Sequence, residues 1–435
     1  MSKLTAVCAC PVDTFSGYGT MARSFLNALI KAKDSEWDIK ILSLRWGNTP
    51  FGALNPDNPG DSELLKRLVN QEDIKEQPDV WIQISVANEF TRNGKVNIGY
   101  SCLVETDIVP GDMMEGLNRM DFNLVSSEHT KAIAEHTSWD KNDKDGNKIG
   151  TIVLEKPVEV LFLGLDTTKF SKPEKVTFDL SSIKESFCYL TVGHIMAGTG
   201  QLEDRKMIGR LVIGFLEAFK DKKNKPALIM KCSTGGYSHM DEERTLREIN
   251  NLIKTVQGKD LPKIYLIHGE LSESELCELY SHEKVKAFAL VGNEGFGLPY
   301  AEFSAVSSKP IIASCWSGHK DFLHMEYNLF VAGKVEKIHG SAANQFLLKD
   351  SSWFKPDVKA ISDALVDMHT NYPKYAELGK RQGYKTRTEY TIDKMSEKLD
   401  EILTKHMPKI SKPVVLSLPK LVNVKKPEIT YLEEI

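Results

Sequence analysis

Two carboxylates eight residues apart, Glu294 and Glu302, bracket the run Gly295-Phe296-Gly297-Leu298-Pro299-Tyr300-Ala301. The glycines allow backbone conformations and close approaches that larger residues forbid. Pro299 suits the first position of a helix, where its missing N–H is no loss. Free N–H groups at such a helix start, with the helix dipole behind them, attract anionic or polar ligands. Glu294 before the turn and Glu302 one turn into the helix add two acceptor-only side chains. Together these groups suit a ligand with both phosphates and many hydroxyls, the combination found in a nucleotide sugar.

Three further segments carry chemistry. In Gly193-His-Ile-Met-Ala-Gly-Thr-Gly-Gln-Leu-Glu-Asp-Arg-Lys206, three glycines and a cation pair lead into a helix. A diphosphate needs compensating charge, which Arg205 and Lys206 can supply. Taken alone the pair reads as solvated charge on an exposed turn, yet cations at a helix start oppose its dipole, which points to function. In Asp13-Thr-Phe-Ser-Gly-Tyr-Gly-Thr20, Gly17, Tyr18 and Gly19 form either a phosphate-facing turn or a structural one closed by Ser16. Backbone groups at Ile267 and His268, at a strand end, can hydrogen-bond a flat base; the imidazole of His268 alone carries no catalytic argument.

The elements that must position these groups alternate between strand and helix. Leu4–Cys10 reads as a strand and Thr20–Ala32 as a helix with Met21, Phe25, Leu29 and Ile30 on one face. Strands are expected at Asp38–Leu44, Val80–Ser85, Val96–Ser101 and Phe122–Ser126. The polar run Asp140–Lys148 reads as a hairpin tip turning at Asp145-Gly146; aligned as a calcium loop it puts Lys141 and Ile152 where acidic ligands belong. After Lys172-Pro173 the alternation restarts: Phe187–Val192, helix Ile208–Phe219, Ala227–Lys231, helix Glu242–Thr255, Lys263–Ile267, helix Ser274–His282, Val285–Val291, helix Pro299–Ser307 and Pro310–Ala313. Ala376–His406 is largely helical, and the stretch from Pro408, basic and rich in Pro, reads as an extended tail. Such alternation predicts α/β domains with parallel sheets, whose ligands bind beyond the carboxyl ends of the strands.

The chain has 435 residues, 41% hydrophobic and 27% charged, with a net charge of −4. That length predicts two domains, and the charge gives no bulk reason to bind nucleic acid or an anionic membrane. Cys8, Cys10, Cys102, Cys188, Cys232, Cys277 and Cys315 include no CxxC pair and read as reduced, mostly buried thiols. The absence of a signal-like start and of a long apolar run leads to a cytoplasmic expectation.

The segment Glu294–Glu302, followed by Lys309-Pro-Ile-Ile-Ala313 and Gly318, resembles the donor-site signature of glycosyltransferase family 4, of the GT-B fold. Arg205-Lys206 resembles that family's Arg-Lys-Asn helix start, with Met207 in place of Asn. Leu163–Phe170 resembles its end-of-first-domain element, with Leu163 where many members have His. Cys102–Pro110 resembles a Glu-Thr-Asp subgroup, with Glu105 where a His is common.

The resemblance implies two Rossmann-like domains facing across a cleft, residues 1–172 on the acceptor side and 173–385 on the donor side. Residues 386–435 would then form a helix crossing back to the first domain and a tail. It implies transfer of a hexose or pentose from a nucleoside-diphosphate sugar with retention, and no required cofactor or metal. By position, Glu302 would bind ribose hydroxyls and Glu294 the sugar. Gly295, Phe296, Gly297 and Leu298 would touch sugar and phosphate, Arg205 and Lys206 the diphosphate. Gly17, Tyr18 and Gly19 would close the site, and Glu105 and Asp107 would face the acceptor: a glycan, a lipid-linked glycan, a protein or a hydroxymethylated DNA base. A non-catalytic nucleotide-sugar-binding module is the alternative, and a sugar phosphorylase of the same fold lacks its Lys-rich cofactor signature here.

Overall fold

The computed structural model describes residues 3–410, so most of the expected tail lies outside the described residues. The first sheet contains β1 (Leu4–Cys10), β2 (Trp37–Ser43), β3 (Leu68–Val69), β4 (Val80–Ile84), β5 (Val96–Ser101) and β6 (Phe122–Val125). The hairpin β7 (Trp139–Asn142) and β8 (Lys148–Ile152) precedes β9 (Val158–Val160), which closes the sheet edge. All pairings are parallel, in the order β3-β2-β1-β4-β5-β6-β9. Helices α1 (Gly17–Lys33), α2 (Pro59–Leu65), α3 (Gly111–Arg119) and α4 (Glu128–His136) connect them.

The second sheet repeats the plan with β10 (Cys188–His194), β11 (Ala227–Ser233), β12 (Ile264–Ile267), β13 (Val285–Ala289), β14 (Ile311–Ser314) and β15 (Leu329–Val331). Its order is β12-β11-β10-β13-β14-β15, again all parallel. Its helices are α5 (Ile208–Phe219), α6 (His239–Thr255), α7 (Glu273–Ser281) and α8 (Leu298–Ser307). A short antiparallel pair, β16 (Gly333–Lys337) and β17 (Ser352–Pro356), leads to α9 (Val358–Thr370), α10 (Tyr372–Glu389) and α11 (Ile392–His406). Strands covered on both faces are mostly apolar, and β4, β5 and β6 are buried along their whole length; the polar Gln83, Asn97 and Asn123 among them are hydrogen-bonded.

In both sheets the strand order reverses beside the first strand, β1 or β10, which opens a crevice at its carboxyl end. The helical face Ile208, Leu211, Val212, Phe215 and Phe219 of α5 is buried; each such side chain contributes about 1.5–3 kcal/mol over its exposed state. Gly214 lets α9 close in, since a Cβ there would lie 2.7 Å from the Ile361 methyl. While α10 packs on α8, α11 crosses back to α1, with Lys31–Asp393 and Lys33–Asp400 ion pairs at 2.6 Å. The expected end-of-first-domain element meets this crossover: the Leu165 N–H donates to the Tyr390 carbonyl and Ile392 N–H to that of Leu165.

The hairpin tip is a solvated turn. Gly146 sits at φ +86°, and the Asp143 carboxylate accepts from the N–H groups of Asp145 and Asn147. Most expected elements appear within a few residues of their expected bounds. The differences fall at ends: α6 starts at His239, capped by Ser238 with Asp241 reciprocating, and β13 stops at Ala289.

Candidate active site at the interdomain seam

Six loops, all leaving carboxyl ends of strands, meet where the two domains face each other. From the first domain come the loops after β1, β5 and β6; from the second, those after β10, β13 and β14. The segment between β13 and α8 is locked to its neighbours by close approaches. A Cβ on Gly318 would stand 1.9 Å from the Gly295 carbonyl oxygen and 2.8 Å from Ser127 Oγ, so only glycine fits there. The Gly318 N–H donates to the Glu294 carbonyl at 2.9 Å, and the Glu294 N–H to Ser317 Oγ at 3.1 Å. Across the seam, Ser126 Oγ donates to the Gly295 carbonyl at 3.1 Å. The Glu128 N–H donates to the Asp321 carboxylate at 2.8 Å, and burial raises that carboxyl to about 6.

Helix α8 begins with Gly297 at φ +101° in the capping position and no side-chain cap. Its first N–H groups therefore have no capping side chain, as an anion-facing helix start requires. Leu298 occupies the first helical position and Pro299 the second, one residue later than the sequence suggested. A buried Glu302 follows, its carboxylate accepting from Tyr280 Oη at 3.3 Å. Burial with this single polar neighbour raises its carboxyl to about 7.

The cation pair lies just ahead of α5, whose cap is Met207 in the left-handed region, so neither side chain is inside the helix. Lys206 is buried at the seam and Arg205 half-buried, and both are already paired. Lys206 binds the Glu294 carboxylate within the second domain, and Arg205 binds Glu105 from the first. Burial works against charge at Glu294, but Lys206 and Arg205 outweigh it and hold its carboxyl below the ordinary range. At Lys206 burial prevails over Glu294 and lowers the ammonium. The conflict between cations and dipole noted in the sequence is thus relieved by two carboxylates. Burial and the nearby Lys206, Lys231 and Arg205 lower His194, keeping it neutral.

A cavity of about 590 Å³ opens beside Arg205, lined by His194, Met196, Thr199, Thr234, Arg244 and Glu248 among others. It sits on the carboxyl ends of β10 and β11, and its size is that of a small-ligand site. A larger groove of about 950 Å³ runs between α5 and α9 but contains no seam residue.

The remaining expected residues lie in four separate places. Gly17, Tyr18 and Gly19 open α1: Ser16 Oγ accepts from the Gly19 N–H at 2.9 Å, and a Cβ on Gly19 would meet the Thr14 carbonyl oxygen at 2.2 Å. This loop is closed on itself. Only Tyr18 reaches the seam, its hydroxyl 3.0 Å from Ser101 Oγ and accepting from the Cys102 N–H at 3.1 Å. Asp107 clasps β17, exchanging backbone and carboxylate bonds with Ser352 at 2.9 and 2.6 Å. His268 follows β12, its ring edge-on to Tyr237 at 5.8 Å. Lys309 is half-buried away from the seam, donating to the carbonyls of Tyr280 and His282, and desolvation lowers it to about 7.

Sequence reasoning gave no seam role to Ser126 or Asp321, which bond across it, or to Ser127, which lies against Gly318; short polar side chains after strands carry no sequence signal of their partner. His319 was also missed. It is fully buried under α8, bonded through Nε2 to the Ser314 carbonyl at 2.8 Å and lowered by burial to about 4. Among the described residues, no group of three or more His, Cys, Asp and Glu is placed to hold a metal ion, and no helix is long and apolar enough to cross a membrane.

Two parallel doubly wound domains facing across a cleft, with a terminal helix returning to the first, define the GT-B fold. No protein-family model matches the chain. No curated protein matches it either. Solved structures do. HepE from Anabaena, in complex with UDP and glucose, has a TM-score of 0.57 at 10% identity, over 92% of this chain and 100% of that one. Sucrose-phosphate synthase from Thermosynechococcus elongatus has 0.60 at 14%, over 93% and 99%. A glycosyltransferase from Rickettsia africae has 0.57 at 13%, over 94% and 100%. At these identities the likeness is one of fold.

Proposed function

We propose that this chain transfers a glycosyl group from a nucleoside-diphosphate sugar to an acceptor hydroxyl with retention of configuration, using a donor site of the family 4 type. The observation that carries this reading is the pair Arg205 and Lys206, the first half-buried and the second buried, at the crevice of the second sheet beside an uncapped helix start and an open cavity. Buried cations are held only where anions answer them, and here each is answered by a single carboxylate. A diphosphate can replace both carboxylates at once. The solved structures with UDP and glucose, and with UDP-2-fluoro glucose, share the fold and support a donor of this class.

In this reading the diphosphate lies between Arg205, Lys206 and the N–H groups of Gly295 to Leu298. Glu302 receives the ribose hydroxyls and Glu294, freed from Lys206, those of the sugar. The bond from the anomeric carbon to the diphosphate oxygen breaks while charge grows on phosphate. Fixed cations and a helix start aimed there stabilise that charge most as it develops, which is what accelerates the step. Tyr18 closes the site from the first domain, and Glu105, released from Arg205, is left facing the acceptor side.

Calorimetric titration with UDP, GDP and ADP and their glucose conjugates tests this. One nucleotide series should bind, and NMR of the first product should show the donor's anomeric configuration. Failure of every nucleotide to bind, or an inverted product, overturns the reading.

A further inference from the structure

Helix α10 of the second domain carries a basic face that the donor site does not use. It holds five cations, Lys374, Lys380, Arg381, Lys385 and Arg387, against two carboxylates, Glu377 and Glu389, in a chain whose net charge is −4. One side of this helix is packed: Gly379, Gln382, Gly383 and Thr386 are buried, and a Cβ on Gly383 would stand 2.6 Å from the Ser304 carbonyl oxygen of α8. The opposite side lines a cavity of about 590 Å³ with Lys380, Arg381, Tyr384 and Lys385. His324 and Tyr327, from the loop between Asp321 and β15, join that lining, as does Glu389. None of these residues lines the cavity beside Arg205.

The loop is fixed to the helix by a buried amide. Gln382 Oε1 accepts from the His324 N–H at 2.9 Å and from Asn328 Nδ2 at 2.7 Å, and its Nε2 donates to the Phe322 carbonyl at 3.1 Å. On this loop the rings of His324 and Tyr327 stack, centroids 4.3 Å apart and planes 26° from parallel. His324 is the exposed member of the stack and Tyr327 the half-buried one. Tyr384 is 68% exposed and Met325 56%. Large apolar side chains left in solvent around a concave surface mark a contact site rather than a core defect.

The charges restrict what that site can contact. Lys385 is held by Glu389 and lies over the Tyr390 ring at 5.5 Å. Lys380 pairs with Glu377, both in solvent; such exposed pairs contribute little, so an anion can draw the ammonium away. The Arg381 guanidinium makes no ion pair or hydrogen bond among the described residues. A guanidinium takes a phosphate through two parallel N–H bonds. One free guanidinium and one loosely held ammonium answer a single phosphate group, whereas a long polyanion needs a row of cations. The aromatic rings beside them offer faces on which a nucleobase stacks. A phosphate without a base would leave those rings unused.

We propose that this cavity is a second nucleotide site, separate from the donor site, which takes one nucleotide with its phosphate on Arg381 and Lys380 and its base against His324 and Tyr384. It goes beyond the donor reading and does not rest on it. The loop that carries His324 begins at Gly318 and Asp321, which bond at the seam, so the occupant sits at the far end of an element that the seam also uses.

The test uses the full chain and bromodeoxyuridine monophosphate, whose base joins covalently to a neighbouring aromatic ring on irradiation. Mass spectrometry of the digest should place the label on His324, Tyr327 or Tyr384, whether or not the seam is labelled too. The nucleotide concentration that half-saturates this label reads this site alone. It should rise roughly tenfold in Arg381→Ala, an exposed substitution, and recover most of that loss in Arg381→Lys. Thymidine monophosphate should compete at about the probe's own affinity. Thymidine and deoxyribose phosphate, each lacking half of the contact, should need roughly tenfold more or beyond. A label confined to the seam, no label at all, unchanged half-saturation in Arg381→Ala, or equal competition by thymidine or deoxyribose phosphate overturns the site. A thymidylate oligomer that competes roughly a hundredfold better than the monophosphate overturns the single-nucleotide reading and reassigns the surface to a nucleic-acid strand.

Discussion

The loop after β1 and the loop after β10 hold the same place in two sheets of the same strand order, yet they are built for different tasks. The first is short and finished: Ser16 caps α1, Thr14 fills the space beside Gly19, and Arg23 donates to the Val12 and Thr14 carbonyls at 2.9 and 3.1 Å. The second wanders from His194 to Ile208 before its helix starts, uncapped and with Met207 and Leu202 in left-handed conformations. It lines the open cavity and ends on two cations, the half-buried Arg205 and the buried Lys206. A polar group satisfied within its own loop has nothing left for a ligand. The contrast shows which of two equivalent crevices spends its polar groups within its own loop and which keeps an open cavity beside them.

The sharpest way to break this contrast is at Lys206. Lys206→Ala strands Glu294 as an unpaired buried carboxylate, which costs about 3–5 kcal/mol. Thermal unfolding should show that loss, and turnover should collapse with it. If a nucleoside diphosphate binds the variant as tightly as wild type, Lys206 does not face the phosphates.

Gly19→Ala probes the other loop. The new methyl would collide with the Thr14 carbonyl, so about 1–3 kcal/mol of stability should go, with nucleotide affinity unchanged. A parallel fall in nucleotide affinity would mean that the loop after β1 grips phosphate as well.

The smallest effect expected is a pH dependence at Glu302, raised by burial to about 7. An unfolded carboxyl titrates near ~4.3, so the empty protein loses stability as pH rises through that interval toward 7. Ribose hydroxyls that donate to the carboxylate favour its charged form. Nucleotide affinity should therefore increase roughly tenfold from pH 6 to pH 8, and calorimetry on Glu302→Gln should show a flat profile. A slope retained in the Gln variant would assign the proton to another group.

Strand and helix positions were legible because apolar runs and glycine turns are local. Val96–Ser101 and Ile208–Phe219 have the bounds their patterns suggest. The seam was legible only in part. Glu294, Glu302, Arg205 and Lys206 stand out by type and spacing, and the fold brings Arg205, Lys206 and Glu294 together. Which residue pairs with which does not stand out. Glu105 lies 100 residues from Arg205 and Ser126 lies 169 from Gly295, separations at which sequence carries no distance.

By itself the sequence determined the alternation that builds two parallel sheets, the glycine turn before α8 and the residue types able to meet phosphates and hydroxyls. Those follow from periodicity and backbone freedom, which neighbouring residues set. Only the tertiary structure decided that Arg205 and Lys206 wait on carboxylates, that Gly17–Gly19 is a finished helix cap, and that His324 and Tyr327 stack beside the cations of α10. Charge pairing, burial and stacking depend on distance in space, and the chain fixes that distance only when the two domains close on each other.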